Sequence, residues 1–64
     1  MFYELISRLA SFEGKMYDIC RERGRIAYDK GDETEMEFYR EEAISHQERR
    51  DKFLKEMERI KNKN

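Results

Sequence analysis

Tyr28-Asp29-Lys30-Gly31-Asp32-Glu33-Thr34-Glu35, near the middle of the chain, has the chemistry of a turn between two helices. Gly31 tolerates the left-handed backbone that commonly closes a helix, and Asp32 followed by Glu35 has the form of an N-terminal capping box. Thr34 with Glu37 offers a second, overlapping cap. Either way the break is confined to Lys30-Gly31-Asp32, and so short a connection makes the flanking helices antiparallel neighbours.

Outward from this turn, both halves of the chain repeat at heptad spacing. Phe2, Leu5, Leu9, Phe12, Met16, Ile19, Arg23 and Ile26 form one series, apolar at seven of its eight positions. Met36, Tyr39, Ala43, His46, Arg50, Phe53, Met57 and Ile60 form the other, apolar or aromatic at six of eight. The spacing predicts helices over about 2–29 and 33–62 joined by a turn at 30–32. The fold expected is all-α, a single antiparallel, coiled-coil-like hairpin over residues 1–64. Folding back at Gly31 would set residues whose numbers sum to about 62 opposite one another, pairing Leu9 with Phe53, Phe12 with Arg50, Met16 with His46 and Arg23 with Tyr39. Charge follows the same plan. Residues 30–45 carry Lys30 and Arg40 against six acids, whereas residues 46–64 carry seven Lys/Arg against four Asp/Glu, so the second helix runs from acidic to basic as its macrodipole favours.

Sixty-four residues make at most one domain with a thin core, and chains of this size need staples, metals, oligomerisation or unusually regular helix packing. The lone Cys20 cannot bridge within the chain, and an isolated thiol suits a reducing compartment. No run of about 18 apolar residues could span a bilayer, and Met1-Phe2-Tyr3-Glu4-Leu5-Ile6 lacks the basic and apolar stretches of a secretory signal. The expectation is a soluble, cytoplasmic protein from which nothing is cleaved, with no membrane partner. A content of 45% charged residues with no proline suits a helical bundle.

A second burial surface is visible on the first helix. Tyr3, Ile6, Ala10, Glu13, Tyr17, Cys20, Gly24 and Ala27 form a row that is apolar or small everywhere but at Glu13. Small residues let helix backbones approach closely. Tyr3, Ile6, Ala10, Tyr17, Cys20, Gly24 and Ala27 are therefore the candidate self-association face, and two copies packed through it would form a homodimeric four-helix bundle. The matching row of the second helix is mostly polar.

Chemistry-bearing residues are few. His46, the only histidine, falls on the inner row, where Glu42 and Cys20 make an incomplete ligand set, so no metal or other cofactor is expected. Arg23, His46 and Arg50 form a polar seam whose expected role is to fix register or oligomeric state. His46 and Cys20 have no cleft in which to act as catalysts, and the chain is read as no enzyme. Basic clusters at Arg21–Arg25, at Arg49–Lys52 and at residues 61–64 are interrupted by acids or lie in a tail. A sequence pI near 5.8 is far below the value above about 9 typical of nucleic-acid-binding domains. Tyr28, Phe38 and Ile44 lie outside the helical rows and form a candidate docking patch for a partner.

The segment Tyr28-Asp29-Lys30-Gly31-Asp32, followed by Tyr39 and Ala43, resembles the turn and second helix of a tetratricopeptide repeat, which implies shared turn chemistry. The overall plan is similar to the small helical-hairpin phosphatases that act on sporulation response regulators. Their Ser-Gln-Glu-Leu-Asp motif is absent; the nearest stretch, Ser45-His46-Gln47-Glu48-Arg49-Arg50-Asp51, has other spacing, and no catalytic role carries over. The function expected from the residues is that of a non-enzymatic interaction module, a small regulator or inhibitor presenting a helical surface to a larger protein, of a kind plausible among bacterial or phage accessory proteins. The alternatives are a nucleic-acid-binding hairpin using the basic half of the second helix, and a structural assembly element.

Overall fold

The computed structural model describes residues 2–62 and consists of two helices, α1 (Phe2–Lys30) and α2 (Glu33–Asn62), packed on each other. Met1, Lys63 and Asn64 lie outside the described residues, so the N-terminal methionine and the end of the 61–64 cluster receive no structural account. The hairpin is a rod with extents of 51 × 13 × 10 Å.

The turn closes both helices with few atoms. Gly31 sits at φ 78°, the left-handed region. Its N–H donates to the Tyr28 carbonyl at 3.0 Å, and the Asp32 N–H donates to the Ala27 carbonyl at 2.9 Å, the paired bonds of a Schellman motif. Asp32 then begins α2. Its carboxylate accepts the Glu35 N–H at 3.0 Å, and its carbonyl accepts the Met36 N–H at 3.0 Å. Of the two caps offered by the sequence, Asp32 is the one used. The return bond of a capping box is unnecessary, because the Asp32 N–H is already given to Ala27.

The fold-back about Gly31 is as the periodicity predicts, but α1 meets α2 through a different row. Buried residues of α1 are Ala10, Glu13, Cys20 and Ala27; those of α2 are Ala43 and His46. On α2, Met36, Tyr39, Phe53, Met57 and Ile60 are half-buried, so its expected row does face α1, with Arg50 exposed. On α1 the expected inner row is overturned. Phe2, Leu5, Leu9, Phe12, Ile19 and Ile26 are 39–76% exposed, Arg23 is exposed, and only Met16 is half-buried. The pairings shift accordingly. His46 meets Glu13 instead of Met16, Arg50 lies against Gly14 instead of Phe12, and Tyr39 lies against Gly24 instead of Arg23.

Two physical causes choose this row. Alanine, cysteine and glycine let the axes approach more closely than phenylalanine and leucine would, since the distance between packed helices is set by the side chains at the contact. Glu13, the one charged member of its row, and His46, the buried polar member of the α2 row, satisfy one another only if these rows meet.

Candidate functional site

The row of α1 that precedes its contact row by one residue is rotated about 100° from the helix interface. It bears the large apolar side chains. Phe2, Leu5, Leu9, Phe12, Ile19 and Ile26, with half-buried Met16 among them, make a continuous stripe along one flank of the hairpin, interrupted by Arg23. An apolar stripe of this length is what a core-facing helix normally covers.

Behind the stripe lies a polar knot between the helices. Glu13 Oε2 accepts from His46 Nδ1 at 2.7 Å and from Arg49 Nε at 3.2 Å, while Arg49 Nη2 lies 3.0 Å from the same imidazole nitrogen. A carboxylate can only accept, so Nδ1 carries the proton and Arg49 closes over the pair from the solvent side. Burial pushes the Glu13 carboxyl up, but the hydrogen bonds from His46 and Arg49 and the charge of Arg49 outweigh it and hold Glu13 below the usual carboxylate range. The side chains of Glu13 and His46 are 10% exposed, that of Arg49 51%. Arg49 therefore anchors the knot to the surface.

On the other flank a shallow groove of about 310 Å³ runs between the helices, lined by Tyr17, Cys20, Arg21, Tyr39, Ile44 and neighbours. Arg21 stacks over the Tyr17 ring at 5.8 Å. Burial, reinforced by Glu42, pushes the Cys20 thiol up, so it stays neutral near pH 7. Cys20 and the Glu13 partner of His46 stand seven residues apart on α1, about 10 Å along the axis. The structure does not bring Cys20 and His46 together as a nucleophile and base. Among the described residues no three His, Cys, Asp or Glu side chains are grouped to hold a metal ion. No described helix is long and apolar enough to cross a membrane.

The candidate self-association face is where the structure departs most from the sequence reading. Ala10, Cys20 and Ala27 are buried within the chain's own hairpin, Ile6, Tyr17 and Gly24 are half-buried there, and Tyr3 alone is exposed. Most of this row is taken up between α1 and α2 of one chain, with Tyr17, Cys20 and Gly24 lining the groove, and the more exposed apolar surface of α1 is the row of large side chains. Of the polar seam, His46 is buried, whereas Arg23 and Arg50 are exposed. Tyr28, Phe38 and Ile44 are all exposed, but Phe38 and Ile44 are six positions apart on α2 and point about 120° away from each other, so the three do not form one patch. Phe38 packs edge-on against Tyr39, with ring centroids 5.2 Å apart. In sequence Glu13 stands out as the one charged member of a small-residue row, and that singularity, with a lone histidine in the facing row of α2, is the signal of their pairing.

No protein-family model, curated protein or solved structure matches this chain.

Proposed function

We propose that the chain is a non-enzymatic interaction module that assembles through the α1 stripe into a four-helix bundle, and that the bundle acts as a small regulator or inhibitor by presenting a rigid helical surface to a larger protein. The observation that supports this is the stripe itself. Six large apolar side chains of α1 stand 39–76% exposed while the buried residues of the hairpin are alanines, a cysteine, Glu13 and His46. Burying apolar area contributes roughly 25 cal/mol per Å², and a hairpin that keeps 39–76% of these six residues exposed has left part of that stabilisation unrealised. A four-helix bundle covers one such stripe per hairpin.

Sedimentation velocity on the wild type and on Leu9→Glu/Phe12→Glu tests the assembly. The wild type should show a concentration-dependent mass above that of one chain, and the variant a monomer of unchanged helicity. A wild type that stays monomeric at high micromolar concentration overturns the reading. The partner is sought with a photo-crosslinking residue at exposed Tyr28, beside the turn, in the native cell. Recovery of one protein in defined stoichiometry supports a regulator, whereas recovery of only the chain itself points to a structural assembly element.

A further inference from the structure

We propose that the occupant of the α1 stripe is a second copy of this chain, seated face to face with its α1 antiparallel to the first, and that charges on α2 select that arrangement. This rests on the stripe being the assembly face.

In an antiparallel pair, the residues that precede the contact row on each helix open on the same flank. Beside the α1 stripe, α2 therefore presents a mainly charged row, Glu35, Phe38, Glu42, Ser45, Arg49, Lys52, Glu56 and Arg59. Half-burial of Glu35 and Glu42, and the reach of Arg49 to Glu13, agree with that placement. The two rows have different chemistry but the same symmetry.

The stripe is self-complementary about Gly14. Reversed on itself, it sets Phe2 against Ile26, Leu9 against Ile19 and Phe12 against Met16 of the second copy, with Arg23 beside Leu5, where its aliphatic stem can cover the leucine. The charges of the α2 row are complementary about Gln47. Reversed, it sets Glu35 against Arg59 and Glu42 against Lys52 of the second copy, with Ser45 beside Arg49 and Phe38 beside Glu56 as its two remaining pairings. Arg59 also holds Glu56 of its own helix, and a guanidinium with five donors can serve both carboxylates.

One two-fold axis can satisfy both rows only if Gly14 and Gln47 stand at the same level of the hairpin. They do. A Cβ on Gly14 would lie 3.6 Å from Arg50, and neighbouring Glu13 bonds both His46 and Arg49. The centre of apolar complementarity and the centre of charge complementarity thus coincide, although one is written into residues 2–26 and the other into 35–59. The rival bundle, with α1 lying on the α2 of the second copy, would set Leu9 on Lys52 and Ile19 on Glu42, burying charge against hydrocarbon. A foreign helix would have no reason to share the charge order of α2.

Disulfide trapping in a Cys20→Ala background distinguishes the cases. Chains carrying Leu9→Cys are mixed in equal amounts with chains carrying Ile19→Cys, oxidised, and weighed by mass spectrometry; a second mixture pairs Leu9→Cys with Lys52→Cys. Circular dichroism first verifies that each variant remains helical. The proposal expects the 9–19 mixed dimer to dominate and the 9–52 mixed dimer to be scarce. A dominant 9–52 dimer overturns the arrangement, as does an assembled species that forms neither bond. Monomers throughout would overturn the assembly reading as well. Independently, Lys52→Glu should weaken self-association about tenfold by placing like charges at two symmetric positions, and adding Glu42→Lys should restore it. Equal affinity of wild type and Lys52→Glu, or a double variant weaker than the single, refutes the role of charge.

Discussion

Gly24 illustrates how a single residue changes meaning when its neighbour is known. In sequence it looks like a notch for another chain; in the hairpin it lies under Tyr39 of the same chain, and a Cβ placed on it would meet the Tyr39 Cβ at 3.6 Å, an ordinary contact. Gly24→Ala should therefore raise stability by about 0.5–1 kcal/mol through helix propensity alone, read as a higher melting temperature at fixed concentration. Glu13 gives the opposite case. Its truncation in Glu13→Ala strands the proton of His46 Nδ1 inside the interface and should cost about 1–3 kcal/mol. The same carboxyl makes stability acid-sensitive. Because its pKa is lowered in the fold, the contribution of Glu13 is fully present above the ordinary carboxylate pKa of 4.5 and is lost as pH falls through the lowered value. Melting between pH 7 and pH 3 should show a steeper acid-side decline for the wild type than for Glu13→Gln. Equal slopes would place the acid sensitivity elsewhere.

At the scale of helices and turn, the sequence told most about what is local. Gly31 and Asp32 announce the turn because backbone conformation and capping are nearest-neighbour chemistry, and the row from Met36 to Ile60 is the only apolar one that α2 possesses. α1 was ambiguous for a physical reason. It carries two apolar rows about 100° apart, and heptad stepping weighs Leu9 and Phe12 above Ala10 and Glu13 because it counts hydrophobicity and not reach. Only long-range pairing breaks the tie. The interhelical Glu13–His46 bond and the closeness permitted by Ala10, Cys20 and Ala27 are properties of two helices together. Two consequences follow for mutation. Asp32→Ala should lower stability by about 1 kcal/mol through loss of the cap to Glu35, and Gly31→Ala by about 1–2 kcal/mol because an L side chain is strained in the left-handed region. Both are readable by chemical denaturation with unchanged slope. Leu9→Ala, which would be ruinous in an inner row, should spare the lone hairpin and act on assembly.

For the whole molecule, stability and association become one quantity. If most of the apolar stripe is covered only in the bundle, the melting temperature should rise with protein concentration, since a folded state stabilised by mass action depends on how much partner is present. Leu9→Glu/Phe12→Glu should abolish that dependence, leaving one melting temperature across a hundredfold dilution. A wild type that melts independently of concentration would mean that the hairpin is self-sufficient despite its outward phenylalanines and leucines.

The Gly31 turn also sets an order of events. Ala27 and Asp32 are joined by a hydrogen bond across a connection of a few residues, whereas Tyr3 and Met57 line a common depression only after nearly the whole chain has been reeled in. The entropy lost on closing a loop grows with its length, so contacts form most cheaply beside the turn and propagate away from it. The hairpin should close like a zip fastener and open from its far end, with amide exchange slowest around Ala27 and fastest around Leu5 and Met57. On that account the tip of the rod behaves as a permanent clasp, and Phe2 and Ile60, at the other end, are the first apolar groups that a breathing molecule offers to its surroundings.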